Sequence, residues 1–240
     1  MNVQNRIILA LDFANKQEVD RCLDDLAGHV QYVKVGMELF YAEGPKVVEA
    51  LKEKGFQVFV DLKVHDIPNT AKGAMRSLAQ VGADMVNVHV AGGIKMMEAA
   101  KEGLEQGARS GAPRPLLIGV TMLTSTSEQM MNDQIRIPGV LQETVLSYAS
   151  LAKKAGLDGI VSSPIEVPVV KQVIGEEFIT VTPGIRPKGS VSDDQTRITT
   201  PEQAFALGSD YIVIGRAITA HPEPQTAWQQ MIEAIHCHQK

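Results

Sequence analysis

The chain has 240 residues and a mass of 26.0 kDa, enough for one large domain or two small ones. Its 44% hydrophobic and 21% charged residues exclude disorder, collagen and a coiled-coil rod. A formal charge of −5 argues against a nucleic-acid partner, which usually needs a basic surface.

Short apolar or alternating runs recur, with amphipathic stretches between them. The predicted strands are Ile7–Asp12, Tyr32–Gly36, Val58–Lys63, Met85–Val90, Leu116–Leu123, Gly159–Ser163, Ile179–Thr182 and Tyr211–Gly215. Most are rich in Val and Ile, as buried parallel strands tend to be. Between them, helical stripes fall on Val19, Cys22, Leu23 and Leu26, and on Ala71, Ala74, Met75 and Leu78. Two more fall on Val145, Tyr148, Ala149 and Ala152, and on Trp228, Met231, Ile232 and Ile235. Gly82-Ala83-Asp84, Gly156-Leu157-Asp158 and Gly208-Ser209-Asp210 each end a helix before a strand, and Gly55 does so without the Asp. Glycine suits the position after a helix because it accepts φ > 0.

Eight strand–helix units predict a (β/α)8 TIM barrel spanning residues 1–240 as one domain. A doubly wound open sheet is the alternative. Two connections after strands are long, Thr124–Val140 and Arg186–Thr200. In a barrel they lie on the active-site face, where long structureless loops often serve as lids. Cys22 and Cys237 sit at opposite ends of the chain, which disfavours a disulfide framework and fits a reducing cytosol. No apolar stretch approaches the ~20 residues of a membrane span, and Asp12 interrupts the apolar run at the start. The expectation is a cytoplasmic protein with no membrane partner.

Charges at strand ends are the anomaly, because burying an unpaired charge is costly. Asp12 ends the first predicted strand, Lys34 lies inside the second, and Asp61 and Lys63 lie in the third, followed by His65 and Asp66. Asp61 and Lys63 are two apart, so a strand points both to one side. Lys34, Asp61 and Lys63 can then meet at the barrel mouth, with Asp12 alongside. At about 4 Å and an effective dielectric near 20, each opposite-charge contact is worth about 4 kcal/mol before desolvation. Such an array keeps lysines protonated and carboxylates ionised, which makes Lys63 a fixed general acid. The alternative is a purely structural salt-bridge network.

A second cluster follows the last two strands. Thr182-Pro183-Gly184-Ile185-Arg186 and Ile214-Gly215-Arg216-Ala217 stand where barrels often bind phosphate, with Arg186 or Arg216 as a charged fork. His65, His89, Asp61 and Asp66 could be imagined as a metal set, but Lys34 and Lys63 would put cations beside the metal. His236-Cys237-His238 reads as a solvated tail.

The sequence resembles the orotidine 5′-phosphate decarboxylases. The resemblance rests on LALDF at Leu9–Phe13, YVKVG at Tyr32–Gly36, DLKVHDIPNT at Asp61–Thr70, TPGIRP at Thr182–Pro187, Gln195, and VIGRAI at Val213–Ile218. It implies conversion of orotidine 5′-phosphate to uridine 5′-phosphate and CO2, the last step of de novo pyrimidine nucleotide synthesis, with no metal and no organic cofactor. It implies a Lys34–Asp61–Lys63–Asp66 network in which Lys63 protonates C6 and Asp61 faces the substrate carboxylate. It further implies that Asp12 and Lys34 contact the ribose, and Thr124 the pyrimidine edge. Gln195, Gly215, Arg216 and Arg186 would hold the phosphate, with Ile67, Thr70 and Pro183 among the substrate contacts. The family resemblance also implies a homodimer, with Asp66 and Ile67 supplied by the other chain.

The Asp-x-Lys-x-x-Asp element is shared with a magnesium-dependent sugar-phosphate decarboxylase of the 3-keto-gulonate-phosphate type. That relative carries a Glu on strand two where this chain carries Lys34. Two further alternatives are a Schiff-base aldolase using Lys63 and a non-enzymatic binder of phosphate ligands.

Overall fold

The computed structural model describes residues 3–109, 111–187 and 198–238. Eight parallel strands close in sequence order. They are β1 Ile7–Ala10, β2 Tyr32–Gly36, β3 Gln57–Val64, β4 Met85–His89, β5 Leu116–Val120, β6 Gly159–Val161, β7 Ile179–Thr182 and β8 Tyr211–Ile214. β8 pairs back onto β1, with Ile8 opposite Val213, so the sheet is a (β/α)8 barrel and not an open doubly wound sheet. The helices are α1 Lys16–Asp25, α2 Met37–Glu43, α3 Lys46–Glu53, α4 Pro68–Gln80 and α5 Gly93–Gly107. They continue with α6 Glu128–Asp133, α7 Leu141–Lys154, α8 Val167–Ile174, α9 Pro201–Ala206, α10 Arg216–Thr219 and α11 Pro224–His238. None of the described helices is long and apolar enough to cross a membrane.

All eight predicted strands exist, but most stop sooner than their apolar runs do. β1 ends at Ala10 and not Asp12, β4 at His89 and not Val90, β5 at Val120 and not Leu123. β6 ends at Val161 and not Ser163, and β8 at Ile214 and not Gly215. The runs continue because residues past the last ladder pair, such as Leu11, Val90 and Met122, remain buried beneath the mouth.

Alternation explains why the strands look apolar throughout. Ile8, Ala10, Tyr32, Phe59, Met85, Ile118, Val181 and Val213 fill the barrel. Their neighbours Ile7, Leu9, Val33, Val58, Val60, Val86 and Val88 pack outward beneath the helices. In that outer layer α5 lies close against α4. A Cβ on Gly103 would stand 2.2 Å from the Lys72 carbonyl oxygen, and one on Gly107 would stand 2.3 Å from that of Arg76.

The floor of the barrel repeats one device. Gly82, Gly156 and Gly208 take φ of +91°, +78° and +97° after α4, α7 and α9. Two residues on, an aspartate reaches back to the preceding strand. Asp84 accepts the Val58 N–H at 2.7 Å and the Lys52 ammonium at 2.6 Å. Asp158 accepts the Leu117 N–H at 2.7 Å and a bidentate Arg114 at 2.7 and 2.9 Å. Asp210 accepts the Thr180 N–H at 2.8 Å and the Lys171 ammonium at 2.7 Å. Each clasp binds an even strand to the odd strand before it. At the closing seam Arg6 donates to the carbonyls of Asp210 at 2.8 Å and Ser209 at 2.6 Å, with its guanidinium 4.6 Å from the Phe205 ring centroid.

Two mouth connections were expected to be long and structureless. The first, Thr124–Val140, instead contains α6, whose first turn is capped by Ser127 accepting the Met130 N–H at 3.1 Å. Of the second, residues 188–197 lie outside the described residues, Gln195 among them. Its two ends are joined: Arg186 N–H donates to the Thr199 carbonyl at 2.9 Å, and Thr199 N–H to that of Gly184 at 3.1 Å. His236-Cys237-His238 is exposed, as a tail would be, but it forms the last turn of α11.

Candidate active site

Lys34 sits at the centre of β2 on an inward position and is 8% exposed. Its ammonium lies 2.9 Å from Asp12 Oδ1, just past β1, and 3.4 Å from Asp61 Oδ2 on β3. The other Asp61 oxygen lies 2.7 Å from the Lys63 ammonium. The result is an alternating array, Asp12–Lys34–Asp61–Lys63, across three neighbouring strands. Burial acts against the charge on Lys34 more than any other single influence, but Asp61 and Asp12 together outweigh it and hold the ammonium above its ordinary pKa. Burial likewise opposes ionisation of Asp61, and Lys34, Lys63 and the Asn87 amide together hold its carboxyl below the usual range.

The third strand departs from regular geometry where the array needs it. Lys63 has φ of +52°, in the left-handed region that a lysine rarely occupies. Between Val60 and Val64 the ladder to β4 shifts register. Asp61 and Lys63 both line the mouth within this irregular stretch.

The array forms one side of a cavity of about 430 Å3, within the range of small-molecule sites. The opposite side is apolar, with Val120, Val161, Val181 and Val213 from β5 to β8. Pro183, Gly184 and Arg186 after β7 and Gly215 and Arg216 after β8 line the same cavity, as do Leu123, Thr124 and Ser125. Four cationic side chains and three carboxylates, Glu38 included, line it in a chain whose formal charge is −5. The site therefore carries a small surplus of positive charge, suited to an anionic ligand. Its chemistry combines a fixed ammonium, an adjacent carboxylate and a polar rim facing an apolar wall.

Residues 5–231 match the family described as "Orotidine 5′-phosphate decarboxylase / HUMPS family". The chain belongs to that family. A relative from Bacillus cytotoxicus, named orotidine 5′-phosphate decarboxylase, is 56% identical over 223 residues, covering 93% of this chain and 94% of the relative. Among solved structures, an orotidine 5′-phosphate decarboxylase from Lactobacillus acidophilus superposes with a TM-score of 0.85 at 39% identity, covering 95% of this chain and 98% of that one. A Geobacillus kaustophilus protein titled an uncharacterized conserved protein gives the same TM-score at 51% identity, covering 95% of this chain and 99% of that one.

Of the residues expected from the family's motifs, Asp12, Lys34, Asp61, Lys63, Thr124, Pro183, Arg186, Gly215 and Arg216 line the one cavity. Asp66, Ile67 and Thr70 do not line it within a single chain. They are exposed on the turn after β3 and the start of α4, where the Asp66 carboxylate accepts the Ile67 N–H at 2.7 Å. One chain's array thus runs from Asp12 and stops at Lys63, and Asp66 stands apart from it. The imagined metal set is not assembled: the rings of His65 and His89 lie 5.5 Å apart, and no group of three or more potential ligands occurs among the described residues. Sequence reasoning missed Asn87, which hydrogen-bonds Asp61 Oδ1 at 2.7 Å, and Glu38 on the rim. The available signal for Asn87 was a polar residue at an inward position of an otherwise apolar strand.

Proposed function

We propose that this enzyme removes the carboxylate of orotidine 5′-phosphate as CO2 and releases uridine 5′-phosphate, the final step of de novo pyrimidine nucleotide synthesis, using its own side chains and no cofactor. The observation that carries the reading is the Asp12–Lys34–Asp61–Lys63 array sharing a cavity with Arg186 and Arg216.

In this reading the C6–carboxylate bond breaks and its electron pair remains on C6. A proton moves from the Lys63 ammonium to C6, and the neutral amine is reprotonated from solvent. The ammonium is fixed before reaction by its 2.7 Å contact with Asp61, so it stabilises charge that develops only as CO2 departs. Asp61 faces the substrate carboxylate, and Lys34 holds Asp61 and Asp12 in place. Asp12 and Lys34 take the ribose hydroxyls, Thr124 the pyrimidine edge, and Arg186, Gln195, Gly215 and Arg216 the phosphate. Phosphate lies away from the reacting carbon, so its binding energy can offset ordering and desolvation there.

The proposal includes a cytoplasmic homodimer in which Asp66 and Ile67 of one chain reach the other's site, with Thr70 nearby. Ile67 is 68% exposed in the single chain, and Asp66 and Thr70 beside it are exposed as well, so this turn is accessible to a second copy. Metal independence is supported by the donor set. A divalent cation between Asp12 and Asp61 would meet the Lys34 ammonium that already bridges them.

The test is incubation of the protein with orotidine 5′-phosphate and excess chelator while the substrate's ultraviolet absorbance is followed. Conversion to uridine 5′-phosphate is expected. Activity only after Mg2+ addition, or only on a sugar phosphate, overturns the reading in favour of the metal-dependent relative. Lys63→Ala is expected to lose at least roughly 100- to 10,000-fold in turnover, the span attributed to a positioned acid, while still binding uridine 5′-phosphate. Near-normal turnover removes Lys63 from that role.

A further inference from the structure

Asn87 occupies an inward position of β4 and is 1% exposed. Its carboxamide touches both ends of the Asp61–Lys63 pair. Oδ1 accepts the backbone N–H of Lys63 at 2.8 Å, and Nδ2 donates to Asp61 Oδ1 at 2.7 Å. The orientation of the amide is determined by its partners. The reverse would set an acceptor against a carboxylate and a donor against an N–H.

These contacts fall where β3 leaves the ladder. Val60 pairs with Val86 and Val64 with Val88, so residues 61–63 of β3 stand opposite Asn87 alone. The displaced strand cannot give the Lys63 N–H a regular backbone acceptor, and the Asn87 side chain supplies one. Lys63 is one of two described non-glycine residues with positive φ, a conformation that persists only where its surroundings impose it. Asp61 Oδ1 in turn receives Asn87 and Lys63, while Oδ2 faces Lys34. A carboxylate free to rotate would not keep its two oxygens divided in this way.

We infer that Asn87 is a positioning residue for the reaction: it holds Lys63 in the left-handed backbone that presents its ammonium to the cavity, and it fixes the Asp61 carboxylate so that one oxygen serves each lysine. The inference rests on the proposed role of Lys63 as the proton donor. Asn87 does not line the cavity, so it acts on the substrate only through these two residues.

The test compares the unchanged chain with Asn87→Ala and the near-isosteric Asn87→Asp. For each we would measure decarboxylation of orotidine 5′-phosphate against pH, affinity for uridine 5′-phosphate, and a crystal structure. Asn87→Ala is expected to lower kcat by about 100-fold, the scale of a small misplacement of a reacting group, with product affinity little changed. Asn87→Asp keeps an acceptor for the Lys63 N–H but sets a second carboxylate against Asp61. It is expected to be slow at neutral pH and to gain turnover as acid adds a shared proton, a gain the unchanged chain does not show.

An unchanged kcat in either folded variant overturns the inference, as do equal losses of kcat and product affinity. So does a crystal structure of Asn87→Ala in which Lys63 keeps both its positive φ and its contact with Asp61. That last readout needs no substrate. If the unchanged chain leaves orotidine 5′-phosphate intact, the proposed function fails, while the structural comparison still decides what Asn87 holds in place.

Discussion

Asp61 and Lys34 bound the pH range over which the site keeps its charges. The Asp61 carboxyl is held below its ordinary value of 3.8, so the stability it contributes is present above that value and is lost as pH falls through the lowered one. Lys34 is held above its ordinary value of 10.5, so its contribution is complete below that value and is lost as pH rises through the raised one. Between about pH 5 and 9 the pair therefore adds no slope to the folding equilibrium. Asp61→Asn is expected to melt below the unchanged chain by a constant margin across that window. The margin should shrink below pH 3.8, as the unchanged chain loses the same charge. Thermal melts of both proteins across pH check this, and a margin that widens in acid contradicts it.

At the scale of elements, stability and chemistry sit at opposite ends of the same strands. The clasps of Asp84, Asp158 and Asp210 lie at the floor, and the charged array lies at the mouth. Asp158→Ala leaves the buried Leu117 N–H without its acceptor and Arg114 without its bidentate partner. The expected cost is about 1–3 kcal/mol in denaturant unfolding, with kcat of the folded fraction unchanged. A fall in kcat at full folding would mean that floor and mouth are coupled.

The same separation explains what the sequence made legible. Eight Val- and Ile-rich runs broken by helical stripes were enough for the barrel. Charged residues at the ends of those runs were enough to expect Asp12, Lys34, Asp61 and Lys63 together at one mouth, where they line one cavity. The repeated glycine before β4, β6 and β8 was legible as a helix terminator. The work of its aspartate was not, because the N–H it accepts belongs to an earlier strand. Asn87 was hidden for a similar reason. Its part depends on residues 61–63 of β3 slipping out of register with β4, which is a property of the pair and not of either segment. The helix α6 was missed because it spans only six residues, too short for a periodic stripe.

At the scale of the whole molecule, one chain lines the cavity with Asp61 and Lys63 but leaves Asp66 outside. The proposed homodimer makes a definite claim about mixing. Lys63→Ala and Asp66→Asn chains are each expected to be inactive alone. After subunit exchange, half of the dimers are mixed and each of these holds one intact site. Recovery on the order of a quarter of the unchanged activity is expected for a two-fold dimer. No recovery after confirmed exchange places Lys63 and Asp66 of each working site in the same chain.

The seam between β8 and β1 also bears on how long a folded molecule lasts. Arg6 joins residues 204 and 203 positions away, so its contacts close nearly the whole chain into a loop. Contacts with so large a closure entropy form late, after neighbouring strand–helix units have paired. Late contacts govern the unfolding rate more than the folding rate. Arg6→Ala is therefore expected to steepen loss of the native state on heating while refolding proceeds at its usual speed. Stopped-flow folding and unfolding in denaturant measure the two rates separately, and a slowed folding arm contradicts the order of events. With that outcome, the half-life of the active enzyme at elevated temperature depends on the seam where β8 meets β1, away from the residues that line its cavity.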